Sequence, residues 1–104
     1  MLLGRSGDLD GAEARFTRAL ALRPDYGEAA NNLALFEVGR GRADAALRRL
    51  QAFLQQFPAY EGTYITLAKL HLAAGREQEG LAILERLLQK NPAHPQARAL
   101  LKQR

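Results

Sequence analysis

The chain repeats itself at an interval of about 34 residues, and this period constrains its fold more than any other feature of the sequence. Two kinds of helix-breaking residue recur at the interval: Gly7, Gly41 and Gly75, and Pro24, Pro58 and Pro92. Large apolar residues follow the same interval at positions 16, 50 and 84. So many coincidences at one spacing indicate a single structural unit that is copied along the chain.

Each unit is predicted to contain two helices. Apolar residues recur with helical spacing from Gly27 to about Arg40, and they do so again one unit later, which predicts the first helices of two units. A second apolar face follows the break at Gly41 and predicts the second helix. A preceding copy of the second helix is expected from about Asp10 to Arg23, and no segment favours a strand.

Residues that start and stop helices support this division. Gly39, Gly41 and Gly75 are expected to end helices in the left-handed conformation, and each proline of the period lies where a second helix must stop. Asp25 and Glu28 have the spacing of a capping box. We therefore expect the Asp25 side chain to cap the helix that follows it.

A helix-turn-helix unit of this length resembles the tetratricopeptide repeat. The small residue between paired helices is present as Ala12 and Ala46, and the large residue four positions later as Phe16, Leu50 and Leu84. The first helix has a leucine before a small residue, as Leu33-Ala34 and Leu67-Ala68. The closing proline is present as Pro24, Pro58 and Pro92. The resemblance implies an all-α chain whose repeats stack as a short right-handed α-solenoid. Residues 1–24 would form a partial repeat, 25–58 and 59–92 complete repeats, and 93–104 a closing helix.

Some positions depart from the family pattern. Gly80 stands where alanine is usual, and Phe53 and Leu87 are bulky where position 19 keeps a small residue. Glu37 and His71 occupy a place where the family often has tyrosine. These departures affect the expected local packing and leave the expected fold unchanged.

The opening unit lacks most of its first helix, because Met1 falls partway through that helix when the period is extended backwards. About three units are normally needed to bury a continuous core. Two hypotheses follow. Either the chain is a segment of a longer array, or a second copy covers the bare N-terminal face.

The resemblance implies a protein-interaction scaffold, in which the first helices line a concave groove that holds a peptide or helix of a partner. The candidate groove residues lie off the packing stripe of the first helices: Glu28, Asn31, Asn32, Leu35, Val38, Gly62, Ile65, Thr66, Lys69 and Leu72. Four of them are expected to form an exposed apolar strip: Leu35, Val38, Ile65 and Leu72. The alternative is that Leu35 and Leu72 brace neighbouring first helices.

Asn32 resembles the inward asparagine with which some family members bind the backbone of a peptide, because an amide can both donate and accept a hydrogen bond. The next copies carry Thr66 and Leu100, so such a ladder would be short. A clamp for a terminal carboxylate would need several converging donors, and only Asn31, Asn32 and Lys69 fit that role. Tyr26 and Tyr60 are expected to pack on the next helix.

Composition disfavours the other functional classes. The chain has no cysteine and a single serine, Ser6. It has two histidines, of which His71 lies on a packing stripe. We therefore expect no enzymatic activity, no cofactor and no metal site. The net charge of +4 is spread among interleaved acids, and the inner positions show no base-reading pattern, so nucleic acid is not the expected partner.

No stretch has the length of a membrane span, the opening residues are too short for a secretory signal, and the compartment is left open. The expected partner is therefore a protein or peptide. Two alternatives stay open. One is an architectural or oligomerisation segment of a larger multi-repeat protein, which would include self-association through the incomplete N-terminal repeat. The other, less favoured, is an RNA-binding helical repeat.

Overall fold

Six α-helices follow one another in the computed structural model, which describes residues 2–102, with side chains from residue 11 onward. In chain order they are α1 (Leu2–Leu22), α2 (Gly27–Gly39), α3 (Ala43–Gln56), α4 (Glu61–Ala73), α5 (Glu77–Lys90) and α6 (Pro95–Lys102). Helices α4 and α5 begin and end one period after α2 and α3, and α6 begins one period after α4. The described residues contain no strand, and the expected all-α class is confirmed.

The turn inside each helix pair is built the same way twice. Gly41 and Gly75 both have a φ of 81°. In both turns the N–H of the residue after the glycine donates to a carbonyl oxygen five residues earlier, at 2.7 Å from Glu37 and 2.8 Å from His71. This is the Schellman motif, whose left-handed position glycine fills without steric cost. The expectation for these two glycines is confirmed.

The turns between helix pairs follow the prolines. Residues 23–26, 57–60 and 91–94 form three equivalent turns, in which the fourth residue donates its N–H to the carbonyl oxygen of the first, at 3.0, 3.3 and 3.0 Å. Proline is the second residue of each turn, where its fixed φ suits the geometry and no N–H is needed. Each second helix therefore stops where the sequence predicts.

Three expectations about helix ends are wrong. Helix α2 has Tyr26 as its N-cap, and no described side chain caps it, because the proline turn makes Asp25 its third residue. Gly39 does not end α2 in the left-handed conformation. It is the last helical residue, and the positive φ of this turn belongs to Gly41. Helix α1 begins at Leu2 instead of near Asp10. The segment before Gly7 has too few residues to form a stable helix of its own, and it is part of α1.

The core runs along the stack of helices. Helices pack mainly on their neighbours in the chain, and α2 also packs on α4, so the described residues form an open stack with extents of 44 × 29 × 21 Å. The largest fully buried side chains come from α2 to α5: Leu33, Leu50, Thr63, Tyr64, Leu67, Leu84 and Leu87. The expected burial of Leu50 and Leu84 is confirmed. Phe16, their counterpart in α1, is only half-buried, because its helix packs chiefly on α2.

The departure from the family pattern at Gly80 has a steric cause. A Cβ atom at this position would lie 2.9 Å from Cγ of Leu72 and 3.2 Å from the carbonyl oxygen of Ala68. One unit earlier, the smaller Val38 and the alanine at position 46 occupy the equivalent places. The glycine therefore makes room for a larger side chain on the first helix of its own unit.

Candidate functional site

The structure divides the expected groove residues by their exposure. The exposed ones are Glu28, Leu35 and Lys69, the half-buried ones are Asn31, Asn32, Val38, Gly62 and Leu72, and the buried ones are Ile65 and Thr66. The exposed set lies on both first helices, α2 and α4. Most of the accessible surface of the expected groove therefore belongs to a few residues rather than to a continuous strip.

The expectation of a continuous apolar strip is wrong. Ile65 is 5% exposed and belongs to the core, and Thr66 is 9% exposed, because α2 packs over this face of α4. Val38 packs against the same core, and Leu72 contacts the backbone of α5 at Gly80. Leu72 therefore packs on the second helix of its own unit and not on a neighbouring first helix, and Leu35 is 52% exposed.

A groove between α1 and α2 is the main concave feature that contains expected site residues. It is open to solvent, has a volume of about 410 Å³ and is lined by Phe16, Asn32, Leu35, Phe36, Gly39 and Arg40. We call it the α1–α2 groove. Asn32 and Leu35 were expected site residues. The other four were missed, and the hypothesis of a bare N-terminal face was the signal in the sequence that could have indicated them.

The floor of the α1–α2 groove is aromatic. The rings of Phe16 and Phe36 meet edge to face, with centroids 5.9 Å apart and an interplanar angle of 61°. Leu35 lies beside them and is exposed, while Gly39 adds no side chain. Rigid aromatic rings next to an exposed aliphatic side chain can bury the apolar side chain of a ligand without reorganising.

Two arginines in the turn after α2 pair with a carboxylate of α1 at one edge of the groove. The Glu13 carboxylate on α1 lies 3.5 Å from Nη1 of Arg40 and 3.6 Å from Nη2 of Arg42, which are both in the turn after α2. Exposed ion pairs of this kind stabilise a fold by less than about 1 kcal/mol. They join the turn after α2 to α1 at the edge of the groove.

Asn31 faces the contact between α2 and α4 instead of the groove. Its Nδ2 atom would lie 3.0 Å from a Cβ atom at Gly62, and its buried Oδ1 atom has no hydrogen-bond partner among the described residues. The ring of Tyr60 fills the same contact, where a Cβ atom at Gly27 would lie 2.5 Å from the ring. Burial raises the pKa of Tyr60, and the Glu28 carboxylate raises it further. The expected packing role of Tyr60 is confirmed.

An ion pair between a buried carboxylate and an exposed arginine joins the two helices of one unit. Glu37 is 5% exposed, and its two carboxylate oxygens accept hydrogen bonds from Nε and Nη2 of Arg49 at 2.9 and 3.1 Å. The sequence marked Glu37 only as a departure from the family pattern. The recurrence of arginine at positions 15 and 49, one period apart, was the signal that could have indicated a charge pair.

His71 takes the place of Glu37 one unit later. It is 6% exposed, and its Nδ1 atom has no hydrogen-bond partner in the described part of the chain. Burial lowers the pKa of His71, and the nearby Arg76 lowers it further. The expected role of His71 in packing between helices is confirmed.

Among the side chains that the structure describes, those of residues 11–102, no three histidine or acidic groups lie close enough together to hold a metal ion. No helix within residues 2–102 combines the length and apolar character that crossing a membrane would require.

Comparison with known proteins agrees with the repeat architecture. The model of the tetratricopeptide repeat family matches residues 5–52 and 37–103, which together cover nearly the whole chain. A comparison with curated proteins finds no match. The repeats of this family generally mediate protein–protein interactions and form a non-enzymatic scaffold. Since the family model, the period of the sequence and the paired helices all agree, the chain belongs to the tetratricopeptide repeat family.

Proposed function

We propose that the chain is a non-catalytic scaffold that holds a segment of another protein against α2, with the α1–α2 groove as the main contact. The single observation that carries this proposal is the exposure of Leu35 beside an aromatic floor in a groove of about 410 Å³. An exposed apolar side chain within a concave apolar surface is characteristic of interaction sites.

The contrast with the other exposed leucine supports the choice of site. Leu22 is 76% exposed at the end of α1 and does not line the groove, whereas Leu35 lines it together with Phe16 and Asn32. Isolated surface leucines are common and have no functional meaning by themselves. The combination with a concave, partly aromatic neighbourhood distinguishes Leu35.

The polar residues of the site suit a peptide segment. Asn32 lines the groove with an amide that can donate to and accept from the backbone of a bound chain. Glu28 and Lys69 are exposed on α2 and α4 and can pair with charges of the bound segment. Because Ile65 and Thr66 are buried, the segment would contact α2 much more than α4.

The same proposal treats residues 25–58 and 59–92 as complete repeats, 1–24 as a partial repeat and 93–104 as a closing helix. The bounds of the helices support this division, since α4 and α5 repeat the limits of α2 and α3 one period later. Among the described residues, no helix covers the groove beside α2.

Selection of binding peptides against the full chain, followed by titration, tests the proposal. We expect Leu35→Asp to weaken a selected peptide by about tenfold or more, since a buried apolar anchor is worth more than about 1.4 kcal/mol. Leu22→Asp is the matched control and should change affinity by less than about twofold. Both variants should keep the helical circular dichroism of the parent chain. Equal effects of the two variants, or failure to select any peptide, would contradict the proposal.

A further inference from the structure

A cleft between α3 and α5 carries polar side chains that the fold itself does not use. It is lined by Gln51, Leu54, Gln55, Leu67, Ile83 and Arg86, and we call it the α3–α5 cleft. It shares no residue with the α1–α2 groove. Its volume of about 320 Å³ lies at the lower end of the range for small-molecule sites.

The floor of the α3–α5 cleft is aliphatic. Leu54 and Leu67 belong to the core and are 5% and 0% exposed. Ile83 packs against the same core and is half-buried, so it supplies most of the apolar surface that a ligand can still cover. The floor is small, and it suits a short hydrocarbon group rather than a long one.

Three polar side chains around this floor are without an internal partner. Gln51, Gln55 and Arg86 are exposed, and their side chains make no hydrogen bond or ion pair within residues 11–102. The two glutamines stand one helical turn apart on α3, so both line the same cleft. The cleft thus offers one guanidinium and two carboxamides to a ligand.

An aromatic ring holds Arg86 in place. The guanidinium carbon of Arg86 lies 5.7 Å from the centroid of the Tyr64 ring, within the range of a cation–π contact. Tyr64 is fully buried, and its hydroxyl donates to the carbonyl oxygen of Pro58 at 2.9 Å. Because the ring cannot move freely, the guanidinium is already oriented and loses less freedom when it binds an anion.

The equivalent cleft one period earlier lacks this arrangement. Ala52 stands in the place of Arg86, and the arginine that does line the earlier cleft, Arg49, is already paired with a carboxylate of α2. The places of the two glutamines hold a threonine and an alanine. Stacking one second helix beside the next therefore does not require an unpaired arginine and two amides.

We infer that the α3–α5 cleft binds a small aliphatic carboxylate, with the carboxylate on Arg86 and the hydrocarbon group on Ile83. A guanidinium donates two parallel hydrogen bonds to a carboxylate, and the amides of Gln51 and Gln55 can donate to the lone pairs that remain. Arg86 is the one charged residue of the lining, which matches a monoanion better than a phosphate ester. The inference is independent of the proposed function, because the cleft and the groove share no residue.

Titration of the full chain with isocaproate, followed in ¹⁵N–¹H spectra at constant ionic strength, tests the inference. We expect saturable shifts at the amides of Gln51, Gln55 and Arg86. Isocaproamide, the neutral isostere, should bind about tenfold more weakly because it loses the charge-assisted hydrogen bonds. Acetate should bind at least fivefold more weakly, since it lacks the hydrocarbon group that covers Ile83.

Two arginine variants provide the matched comparison. Arg86→Gln should weaken isocaproate by about tenfold. Arg48→Gln removes an exposed arginine of α3 that does not line the cleft, and it should change the affinity by less than about twofold. Both variants should keep the helical circular dichroism of the parent chain.

Three results would overturn the inference: shifts that do not saturate, equal effects of the two arginine variants, or equal binding of acetate and isocaproate. The last result would mean that Arg86 attracts anions without a site for the hydrocarbon group. Leu35→Asp should leave isocaproate binding unchanged, because Leu35 lines the other site. Failure here therefore leaves the proposed function standing.

Discussion

Single residues adjust the repeated unit to its local surroundings. Gly27 and Gly80 leave room for the ring of Tyr60 and for the side chain of Leu72, and the Glu37–Arg49 pair is replaced one unit later by a neutral, buried His71. In each case the residue departs from a uniform repeat because its neighbour differs in size or charge. Substitutions at these places therefore test the packing at single contacts.

Gly27→Ala is predicted to destabilise the fold by about 1 to 3 kcal/mol, although alanine favours helices. The reason is that the new methyl group would lie 2.5 Å from the Tyr60 ring, so the ring or the helix must shift. Gly11→Ala is the matched control, because an added Cβ there meets no described atom within 4 Å. It should stabilise the fold by up to about 1 kcal/mol through helix propensity. Urea unfolding measures both changes, and equal shifts of the two variants would contradict the packing of Tyr60.

His71 is predicted to make stability depend on pH in the weakly acidic range. Its folded-state pKa is below the ordinary value of 6.5, so the unfolded chain binds the proton more readily and stability falls as the pH drops below about 6.5. The contribution of His71 is fully present above that pH. Urea unfolding between pH 8 and pH 5 should show a shallower fall for His71→Gln than for the parent chain. An unchanged slope would show that His71 is not desolvated.

At the scale of helices, the sequence predicted the secondary structure well, because the residues that end helices act through their own local backbone geometry. Proline and glycine fix the turns through their own backbone geometry, so the limits of α2 to α5 follow the period. The cap expected at Asp25 was wrong because the proline turn already included this residue. The exposure expected for Ile65 was wrong because it depends on how closely α2 approaches α4, and neither helix alone determines that distance.

The helices are predicted to depend on their core residues to different degrees. Leu50→Ala should cost about 2 to 5 kcal/mol, since Leu50 is fully buried between helices. Phe16→Ala should cost less, although it removes a larger side chain, because Phe16 is half-buried and lines the open groove. Thermal or urea unfolding of the two variants gives the order. A larger loss for Phe16→Ala would mean that the α1–α2 groove is part of the core.

The whole molecule is an open stack in which each helix pair uses the next as its cover. The family and the paired helices of the repeat could be predicted from the sequence, since the period runs through the chain. The accessible part of the site could not, because it depends on which faces of the stack lack a neighbour. The structure places most of the uncovered apolar surface of the expected site beside α2, at Leu35 and the aromatic floor of the groove.

The most direct test of this account is a map of chemical-shift changes in the ¹⁵N–¹H spectrum when the chain is saturated with a selected peptide. The account predicts that the largest changes cluster around the α1–α2 groove, including the amides of Phe16, Leu35 and Gly39. Changes that cluster instead on the outer faces of α3 and α5, around Arg48 and Arg86, would contradict it.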